Sequence, residues 1–404
     1  MDEAQFLRKK FRDYYSRTTL RPAVRVDERE FGIGEFGKKI SSRHLSFSSN
    51  DELNFFLRNE VPFYISCSAA IYKFPAARPM ESKQILGADL IYEFDADDIK
   101  TPCKADHDTW KCRSCSTTGK GDVEACSNCG SGVEIDEWVC PSCLGAVKKQ
   151  AKILVELLAS DLGISEGLAF NFSGSKGYHI HIRDEKLQGL SPSARVELVD
   201  YLTGNSLKPE NLGFFMDGKK FVCPLPGNSQ GWAARILLGI KSMLNEGKVQ
   251  ELAVAGNVTV ASAKELINKK DLILKEIDNG ILFQLPGKKT EKFWVGVIDF
   301  VLNARKLNLD RMTSIDISKI VRVPDTLHGS TGLLAKTLSR NDFESHDALK
   351  DAVVFSENPE RVSVGKTPKF YLGGKWWGPF NEEQVELPEF AAVYLVAKKK
   401  ALPI

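Results

Sequence analysis

The sequence predicts an α/β protein whose core is interrupted by a cysteine-rich insert and by a mostly helical subdomain. Strand-like and helical runs alternate up to about residue 190, and seven of the nine cysteines fall between Cys103 and Cys143. Helical spacing then dominates over 191–305. We therefore divide the chain into a first part of the core over 1–190 with the insert at 101–145, the helical subdomain over 191–305, and a second part of the core with the C-terminal segment over 306–404.

The individual elements follow from hydrophobic periodicity. An apolar stripe at helical spacing predicts a helix, whereas short runs rich in β-branched and aromatic residues predict strands. On this basis we expect helices over 4–16 and 146–162, strands at Tyr64–Ser68, over 86–94, on both sides of a glycine turn within 167–182 and over 315–323, and a tail from 341 that starts with a helix and ends in strands near 362–372 and 390–396.

Composition places the chain among soluble globular proteins. Hydrophobic residues make up 43% and charged residues 27% of the 404 positions, and the net charge of +2 gives no sign of a nucleic-acid partner. The N-terminus is acidic where a signal peptide is basic, and apolar runs such as 293–298 are too short to span a bilayer. We expect a cytoplasmic protein without membrane association. Its cysteines are then reduced, and metal binding explains their number.

An acidic pair closes the apolar run over 86–94. Side chains alternate faces in a strand, so Asp95 and Asp97 are predicted to share one face, with Ala96 and Asp98 on the other. Two carboxylates on one face repel each other unless a cation lies between them, and such a pair suits a hard divalent ion, Mg²⁺ or Mn²⁺. An isolated Asp-x-Asp is more often a solvated turn, so the choice between a metal site and a solvated turn depends on the neighbouring motifs.

Two glycine-containing strings follow the acidic pair. The first, Ser173-Gly174-Ser175-Lys176-Gly177-Tyr178-His179, offers a hydroxyl, a compact positive charge and an imidazole around a tight turn that can approach an anion. The second runs from Asp310 to Arg322 and His328 and ends in Gly329 and Gly332. Taken alone, each is also compatible with an ordinary surface hairpin or loop.

Together and in this order, the three motifs resemble the small, catalytic subunit of archaeal and eukaryotic DNA primases, most closely the archaeal members. The resemblance covers roughly residues 8–335. It implies a primase-type mixed-sheet catalytic core with a zinc-binding insert and an inserted helical subdomain. It also implies template-directed synthesis of short RNA primers on single-stranded DNA by two-metal nucleotidyl transfer, with a primase large subunit as partner and nucleoside triphosphates as substrates.

The resemblance also implies roles for particular residues. Asp95 and Asp97 would hold two Mg²⁺ or Mn²⁺ ions with a third carboxylate, which is Asp310 when counted back from His328; Asp316 is the alternative. An N-terminal arginine reaches into the active site in this family, and Arg43 matches it. Many members carry arginine where this chain has Lys176, which keeps the charge but loses bidentate geometry. The residues implied for triphosphate binding are Arg43, Ser173, Lys176, His179, Arg322 and His328.

The cysteines form two sets. Cys112-x-x-Cys115 and Cys126-x-x-Cys129, ten residues apart, are typical of a zinc ribbon. The remaining Cys140-x-x-Cys143 would form a second site with Cys103 and His107, which is also where the primase family holds its zinc. One or two structural Zn²⁺ ions are therefore expected. We favour a structural role, in which zinc stabilises a segment too small to form its own hydrophobic core, over direct contact with nucleic acid. Cys67 and Cys223 are interpreted as ordinary reduced cysteines.

Two other functions remain open at this point. One is a stand-alone primase-polymerase acting in repair, or the related polymerase domain of bacterial end-joining ligases, although these generally lack such a zinc insert. The other is a catalytically inactive, zinc-ribbon nucleic-acid-binding subunit, against which the acidic and basic residues argue.

Overall fold

A computed structural model describes residues 2–22, 25–205, 207–285 and 290–404. The chain divides into two compact units. The first comprises Met1–Ala151, Glu166–Arg195 and Asn308–Ile404, and the second comprises Lys152–Ser165 and Val196–Leu307.

Two four-stranded sheets build the centre of the first unit. The strand order of the first sheet is Ile320–Arg322, Tyr64–Ser68, Phe31–Glu35 and Lys38–Leu45. The order of the second is Thr337–Leu338, Leu168–Phe172, Gly177–Ile182 and Leu90–Asp95. Each sheet thus combines strands from the N-terminal part of the chain with a strand that lies beyond the second unit in sequence, which is why the core requires both parts.

The predicted α/β fold is confirmed, and one detail differs. The strand pairs among the described residues are all antiparallel, so none of these pairs supplies the parallel component of a mixed sheet. Some pairs join strands that are far apart in sequence, such as Leu90–Asp95 with Gly177–Ile182, whereas a tight turn joins other antiparallel neighbours. The turn between Leu168–Phe172 and Gly177–Ile182 is one example.

Smaller sheets surround this centre. The cysteine-rich insert folds as Thr118–Lys120, Thr109–Cys112 and Val133–Asp136, and the tail folds as Glu383–Pro388, Pro359–Val364 and Ala401–Pro403. Two hairpins pair Ala70–Tyr72 with Ile85–Ala88 and Phe370–Leu372 with Lys375–Trp377.

The helices surround the sheets or form the second unit. Asp2 caps the first helix by accepting a hydrogen bond from the backbone N–H of Gln5 at 2.7 Å, and the apolar side of that helix is buried. In chain order the helices are Glu3–Arg17, Asn50–Glu60, Lys104–His107, Pro141–Leu162, Glu185–Gln188, Pro192–Thr203, Gly231–Asn245, Val249–Ala255, Val260–Asn268, Lys270–Asp278, Thr290–Arg305, Arg311–Ile315, Arg340–Ser345, Ala348–Asp351 and Glu389–Ala397.

Three predicted strands are corrected by the structure. The expected strand near 390–396 is the helix Glu389–Ala397, in which every residue from Phe390 to Ala397 is buried. A run that is apolar on all sides carries no periodicity, so a short buried helix and a buried strand look alike in sequence. The stretch 315–323 holds only the strand Ile320–Arg322, and the run over 86–94 is split between Ile85–Ala88 and Leu90–Asp95.

The second unit is mostly helical and has its own core. Its buried cluster centres on Trp232 and Trp294, whose indole N–H groups donate to backbone carbonyls at 2.7 and 2.8 Å. A small sheet of Phe215–Asp217, Lys220–Val222 and Ile281–Leu282 completes it. Residues 206 and 286–289 of the predicted helical subdomain lie outside the described residues. None of the described helices combines the length and the apolar character needed to cross a membrane.

Candidate active site

A cleft of about 470 Å³ is lined by both four-stranded sheets of the first unit. The first sheet contributes Ser66 and the strand Ile320–Arg322, and the second contributes Glu93, Asp95 and His179. The other lining residues are Lys39, Ile40, Glu137, Val139, Ser173, Ser175, Lys176, Lys319, His328, Ser330 and Lys398.

Glu93 and Asp95 both line this cleft, since residues two apart in a strand share a face. The strand ends at Asp95, and the chain continues as the 3₁₀ turn Ala96–Asp98. Strand alternation therefore does not extend to Asp97, so the strand period does not set the direction of its side chain. Asp97 is exposed and is not among the described residues that line the cleft. The acidic pair on the cleft face is Glu93 and Asp95.

Asp97 instead contacts the glycine turn. Its carboxylate forms an ion pair with the Lys176 ammonium, which also lies 3.0 Å from the Glu137 carboxylate. Burial lowers the pKa of Lys176, but the hydrogen bond and charge of Asp97, together with Glu137, raise it above its ordinary value. Lys176 is therefore a firmly charged ammonium held at the edge of the cleft.

Gly177 explains why the acidic strand and the glycine turn come so close. It lies directly opposite Asp95 in the antiparallel pair, and the backbone N–H of Ala96 donates to the Lys176 carbonyl at 3.0 Å. A Cβ atom at position 177 would clash with Oδ1 of Asp95 and with the Phe94 carbonyl oxygen. The Asp95 side chain thus occupies the space that a side chain at 177 would need.

Asp310 joins the acidic strand from the downstream segment. It caps the helix Arg311–Ile315 by accepting from the backbone N–H of Met312 at 2.9 Å, and its own N–H donates to the Glu93 carbonyl at 3.3 Å. The Thr313 hydroxyl lies 2.7 Å from both the Glu93 and the Asp310 carboxylates. The Lys319 ammonium also lies near both, at 3.4 and 2.8 Å. Glu93 and Asp310 therefore share one hydroxyl and one cation.

Asp316, the alternative third carboxylate, has a local role. It is exposed, and it accepts hydrogen bonds from the backbone N–H and the hydroxyl of Ser318 at 2.9 and 2.6 Å. This is a turn-stabilising arrangement typical of aspartate. Of the two candidates, the structure brings Asp310 next to the acidic strand.

The carboxylates influence one another's protonation. Burial raises the pKa of Asp95 to about 6, with the charges of Asp97 and Glu93 adding to it and those of His179 and Lys176 opposing it. Burial also raises the pKa of Glu93, but His179 and Lys319 bring it below its ordinary value. Asp95 thus lacks the cationic contact that Glu93 and Asp310 find in Lys319. A divalent cation would relieve its charge.

The glycine turn brings most of the predicted phosphate-binding groups to the cleft. The Ser173 hydroxyl accepts from the backbone N–H groups of Ser175 and Gly177 at 3.3 and 3.1 Å, which fixes the turn. His179 lies opposite Glu93 in the strand pair, with its Nε2 atom 3.6 Å from the Glu93 carboxylate. Ser173, Lys176 and His179 all line the cleft.

Arg322 and His328 complete the set from the downstream segment. The Arg322 guanidinium lies 5.0 Å from the Tyr64 ring centre, and its Nε and Nη1 atoms are buried without a hydrogen-bond partner among the described residues. Burial lowers the pKa of Arg322 to about 10, so it remains a cation at neutral pH. His328 Nδ1 accepts from the Ser330 backbone N–H at 3.3 Å, and burial moves its pKa well below the ordinary value. Unpaired guanidinium N–H groups facing a cleft suit an anion.

Arg43 is placed differently from the other predicted residues. Its guanidinium donates to the Glu30 carboxylate at 2.9 Å and to the Ser318 carbonyl at 3.1 Å. It is not among the described residues that line the cleft, although Lys39 and Ile40 of the same strand are.

Sequence reasoning missed several lining residues. Glu93 could have been found by extending the two-residue period backwards from Asp95. Lys319, Lys398 and Glu137 carry no motif and become visible only when the chain is folded.

Two groups of metal-binding side chains lie in the insert and beside it. Each holds four ligand atoms within 4.8 Å of one another. In the ribbon group, the backbone N–H groups of Ser114 and Cys115 donate to Cys112 Sγ at 3.3 and 3.4 Å, a contact that stabilises a thiolate. The ribbon group consists of Cys112, Cys115, Cys126 and Cys129, and the second group consists of Cys103, His107, Cys140 and Cys143.

The second group is connected to the cleft. His107 Nδ1 lies 2.8 Å from the Asp108 carboxylate, which leaves Nε2 facing the cysteines, 3.4 Å from Cys143 Sγ. The same Asp108 oxygen accepts from the Trp138 backbone N–H at 2.9 Å. The two neighbours of Trp138, Glu137 and Val139, line the cleft. A metal ion held by this group would therefore help to fix the position of this part of the cleft wall.

Comparison with known proteins agrees with these features. The family model described as DNA primase small subunit matches residues 135–339. The chain is 32% identical over 399 residues to the DNA primase small subunit PriS of Cenarchaeum symbiosum, covering 97% of this chain and 96% of that protein. It is 31% identical over 415 residues to the protein of the same name from Methanothrix thermoacetophila, covering 97% of each chain. It is 30% identical over 415 residues to that of Nitrosopumilus maritimus, covering 99% and 98%.

One solved structure shows a distant likeness. It is the polymerase domain of ligase D from Mycobacterium tuberculosis in complex with DNA, at 10% identity and a TM-score of 0.34 over 83% of this chain and 82% of that one.

The two cysteine groups predict two tightly held metal ions per chain. We expect elemental analysis of the purified protein to find two, since each group supplies four ligands. Replacing Cys112 and Cys115 by serine should remove one ion and leave catalytic activity within about threefold of wild type. Replacing Cys140 and Cys143 by serine should also remove one ion, but it should lower activity by at least about tenfold, because the second group supports the cleft wall. A single ion in the wild type, or equal losses of activity in both pairs, would contradict this division.

Proposed function

The chain belongs to the DNA primase small-subunit family, and from that premise we propose that its cleft joins nucleotides on a DNA template with Glu93, Asp95 and Asp310 as the ligands of two divalent ions. Members of the family are nucleotidyltransferases that make RNA primers for DNA replication. One observation supports the assignment above the others: Glu93 shares its strand face with Asp95 and shares a hydroxyl and a cation with Asp310.

The donor set fits Mg²⁺ or Mn²⁺. Carboxylate oxygens are the ligands that these hard ions prefer, and open positions remain for phosphate oxygens. In the structure the Lys319 ammonium supplies the positive charge between Glu93 and Asp310. Asp97 was predicted as a ligand with Asp95. Its contact with Lys176 supports a different role, that of positioning this lysine.

The incoming triphosphate is proposed to lie against the basic side of the cleft. Lys176 and Arg322 supply charge, and Arg322 has N–H groups free to donate. Ser173, His179 and His328 add further donors around the same cleft. Arg43 could contact the nucleotide only after its ion pair with Glu30 breaks. We therefore assign it a smaller role in nucleotide binding than the other predicted residues.

The chemistry we infer is in-line attack of a 3′-hydroxyl on the α-phosphate. Bound divalent ions would activate that hydroxyl and neutralise the leaving pyrophosphate. The chain itself contributes positioning. The close approach of the strands at Asp95 and Gly177 fixes Asp95 next to the phosphate-binding turn. The cationic side chains of the cleft stabilise negative charge on the phosphates.

The metal in the two cysteine groups is proposed to be zinc with a structural role. Four thiolates, or three thiolates and an imidazole, form the closed ligand sets of structural zinc sites. Asp108 supports this assignment, because it orients His107 as carboxylates do beside zinc-bound histidines.

Partners and location follow from the family. We propose single-stranded DNA as template, nucleoside triphosphates as substrates, a primase large subunit as the stable partner, and a cytoplasmic location. A non-catalytic binding subunit is the alternative function, and it would retain nucleic-acid binding without any dependence on the carboxylates.

The identity of the acidic pair can be tested by neutralising each carboxylate. We expect Glu93→Gln and Asp95→Asn to lower nucleotide incorporation at saturating Mn²⁺ by at least about a hundredfold, since each removes charge that would face the metal. Asp97→Asn should stay within about tenfold of wild type and show its effect mainly in the KM for the nucleotide, because it frees Lys176. Primer extension on a poly-dT template measures both quantities.

Thermal unfolding of each variant provides the control for folding. If Asp97→Asn were inactive and Glu93→Gln active, the metal-binding pair would be Asp95 and Asp97, as the sequence predicts. Wild-type-like activity in all three variants would favour the non-catalytic function.

The third carboxylate is tested separately. Asp310→Ala should be as inactive as Asp95→Asn, because it lies beside Glu93, whereas Asp316→Ala should retain most activity, because its contacts are confined to its own turn. Loss of the Asp310 cap destabilises a short helix by roughly 1 kcal/mol, so Asp310→Asn, which keeps a capping oxygen, is the matched variant. If the two alanine variants gave the opposite result, the third ligand would be Asp316.

A further inference from the structure

A second, smaller recess lies beside the cleft, with a volume of about 220 Å³. Ser175, Ser330 and Lys398 line both cavities, so the recess and the cleft share a rim. The other lining residues are Phe36, Gly37, Tyr64, Gly329, Thr331, Ala397 and Lys399.

The chemistry of this lining favours an anion. It contains two lysines and four hydroxyl side chains, and none of its described residues is acidic. Ammonium and hydroxyl groups are the donors that proteins use for phosphate oxygens. None of the predicted triphosphate-binding residues lines this recess, and all of them except Arg43 line the cleft, so the charge of the recess is not accounted for by the proposed function.

Lys398 is held in place without a carboxylate partner. Its ammonium lies 4.7 Å from the Trp138 ring centre and donates to the Glu137 carbonyl at 3.1 Å. Among the described residues, no carboxylate oxygen lies within 4.0 Å of the ammonium of Lys398 or Lys399. Lys400, in contrast, pairs with Asp136 at 2.8 Å. Two neighbouring lysines thus line a shared cavity without a direct ion pair, although the carboxylates of Asp136 and Glu137 act on Lys398 from farther away.

The backbone at Lys399 gives an independent indication. Lys399 follows the helix Glu389–Ala397 with a φ of 58°, and the N–H of Lys400 donates back to the Leu395 carbonyl at 2.8 Å. This is the left-handed position after a helix that glycine normally occupies, and a lysine there is strained by about 1 kcal/mol. Folding alone would favour glycine at this position, so the lysine is not explained by the backbone conformation.

We propose that Lys398 and Lys399 make this recess a second phosphate-binding site, separate from the predicted triphosphate set. The proposal rests on the proposed function for the source of the phosphate, which is either a nucleoside triphosphate or the backbone of the template or primer strand. Lys399 lines the recess and not the cleft, so it reports on the recess alone.

Lys399→Gly is the decisive variant, because it removes the ammonium and relieves the backbone. We expect it to be at least as stable as wild type in thermal unfolding and to bind phosphate about tenfold more weakly. Lys398→Met keeps the apolar stem over Trp138 and should weaken binding by a similar factor. Lys400→Met, whose ammonium pairs with Asp136, is the matched control and should bind like wild type.

Binding is measured on the full chain with two probes, a nucleoside triphosphate and an oligo-dT strand, without turnover. Weaker nucleotide binding alone identifies the phosphate as that of the nucleotide. Weaker strand binding, with a salt dependence reduced by about 0.7 in log–log slope for each lost contact, identifies a strand phosphate. Unchanged affinity for both probes in Lys399→Gly and Lys398→Met overturns the proposal. Because no catalysis is needed, an inactive wild type would refute the proposed function and leave this result standing.

Discussion

The close approach of two antiparallel strands at Gly177 is the constraint on which the site depends. The strand Leu90–Asp95 ends against the start of Gly177–Ile182, and the space of an absent Cβ atom is filled by the Asp95 carboxylate. This contact sets the acidic face of one strand directly beside the turn that carries Ser173 and Lys176. A polymerase needs metal-binding oxygen atoms within reach of phosphate-binding cations, and here one glycine between neighbouring strands provides that proximity.

Charge balance is the second consequence of this crowding. Glu93, Asp95, Asp97 and Asp310 lie near one another, and partly buried carboxylates destabilise a fold unless cations accompany them. Lys319 lies between Glu93 and Asp310, and Lys176 lies between Asp97 and Glu137. Burial raises the pKa of Asp95, and neither lysine forms an ion pair with its carboxylate that would offset this rise. Three of these acidic residues, Glu93, Asp97 and Asp310, thus already have a cation, and the fourth, Asp95, would gain most from a bound ion.

Much of this arrangement could be predicted from the sequence, and the failures have physical causes. The α/β class, the cysteine-rich insert and the glycine turn follow from local composition and period. Asp310 was chosen over Asp316 by its spacing from His328, and the structure brings it beside Glu93. Glu93 lies two positions before Asp95 in the same strand, and it is missed when the two-residue period is followed only forwards to Asp97, which lies beyond the end of the strand. The helix Glu389–Ala397 was taken for a strand because a fully buried run has no polar side to reveal its period.

The tail shows why the remaining residues could not be found in this way. Lys398 is more than two hundred positions from Lys176 in sequence, yet both line the cleft. The buried helix Glu389–Ala397 fixes the lysines that follow it, since a helix without an exposed face cannot rotate or slide without exposing apolar surface. The insert acts similarly, because Asp108 connects His107 to the segment that carries Glu137 and Val139. The cleft residues Glu137, Val139 and Lys398 are therefore positioned by segments whose sequences contain no catalytic motif.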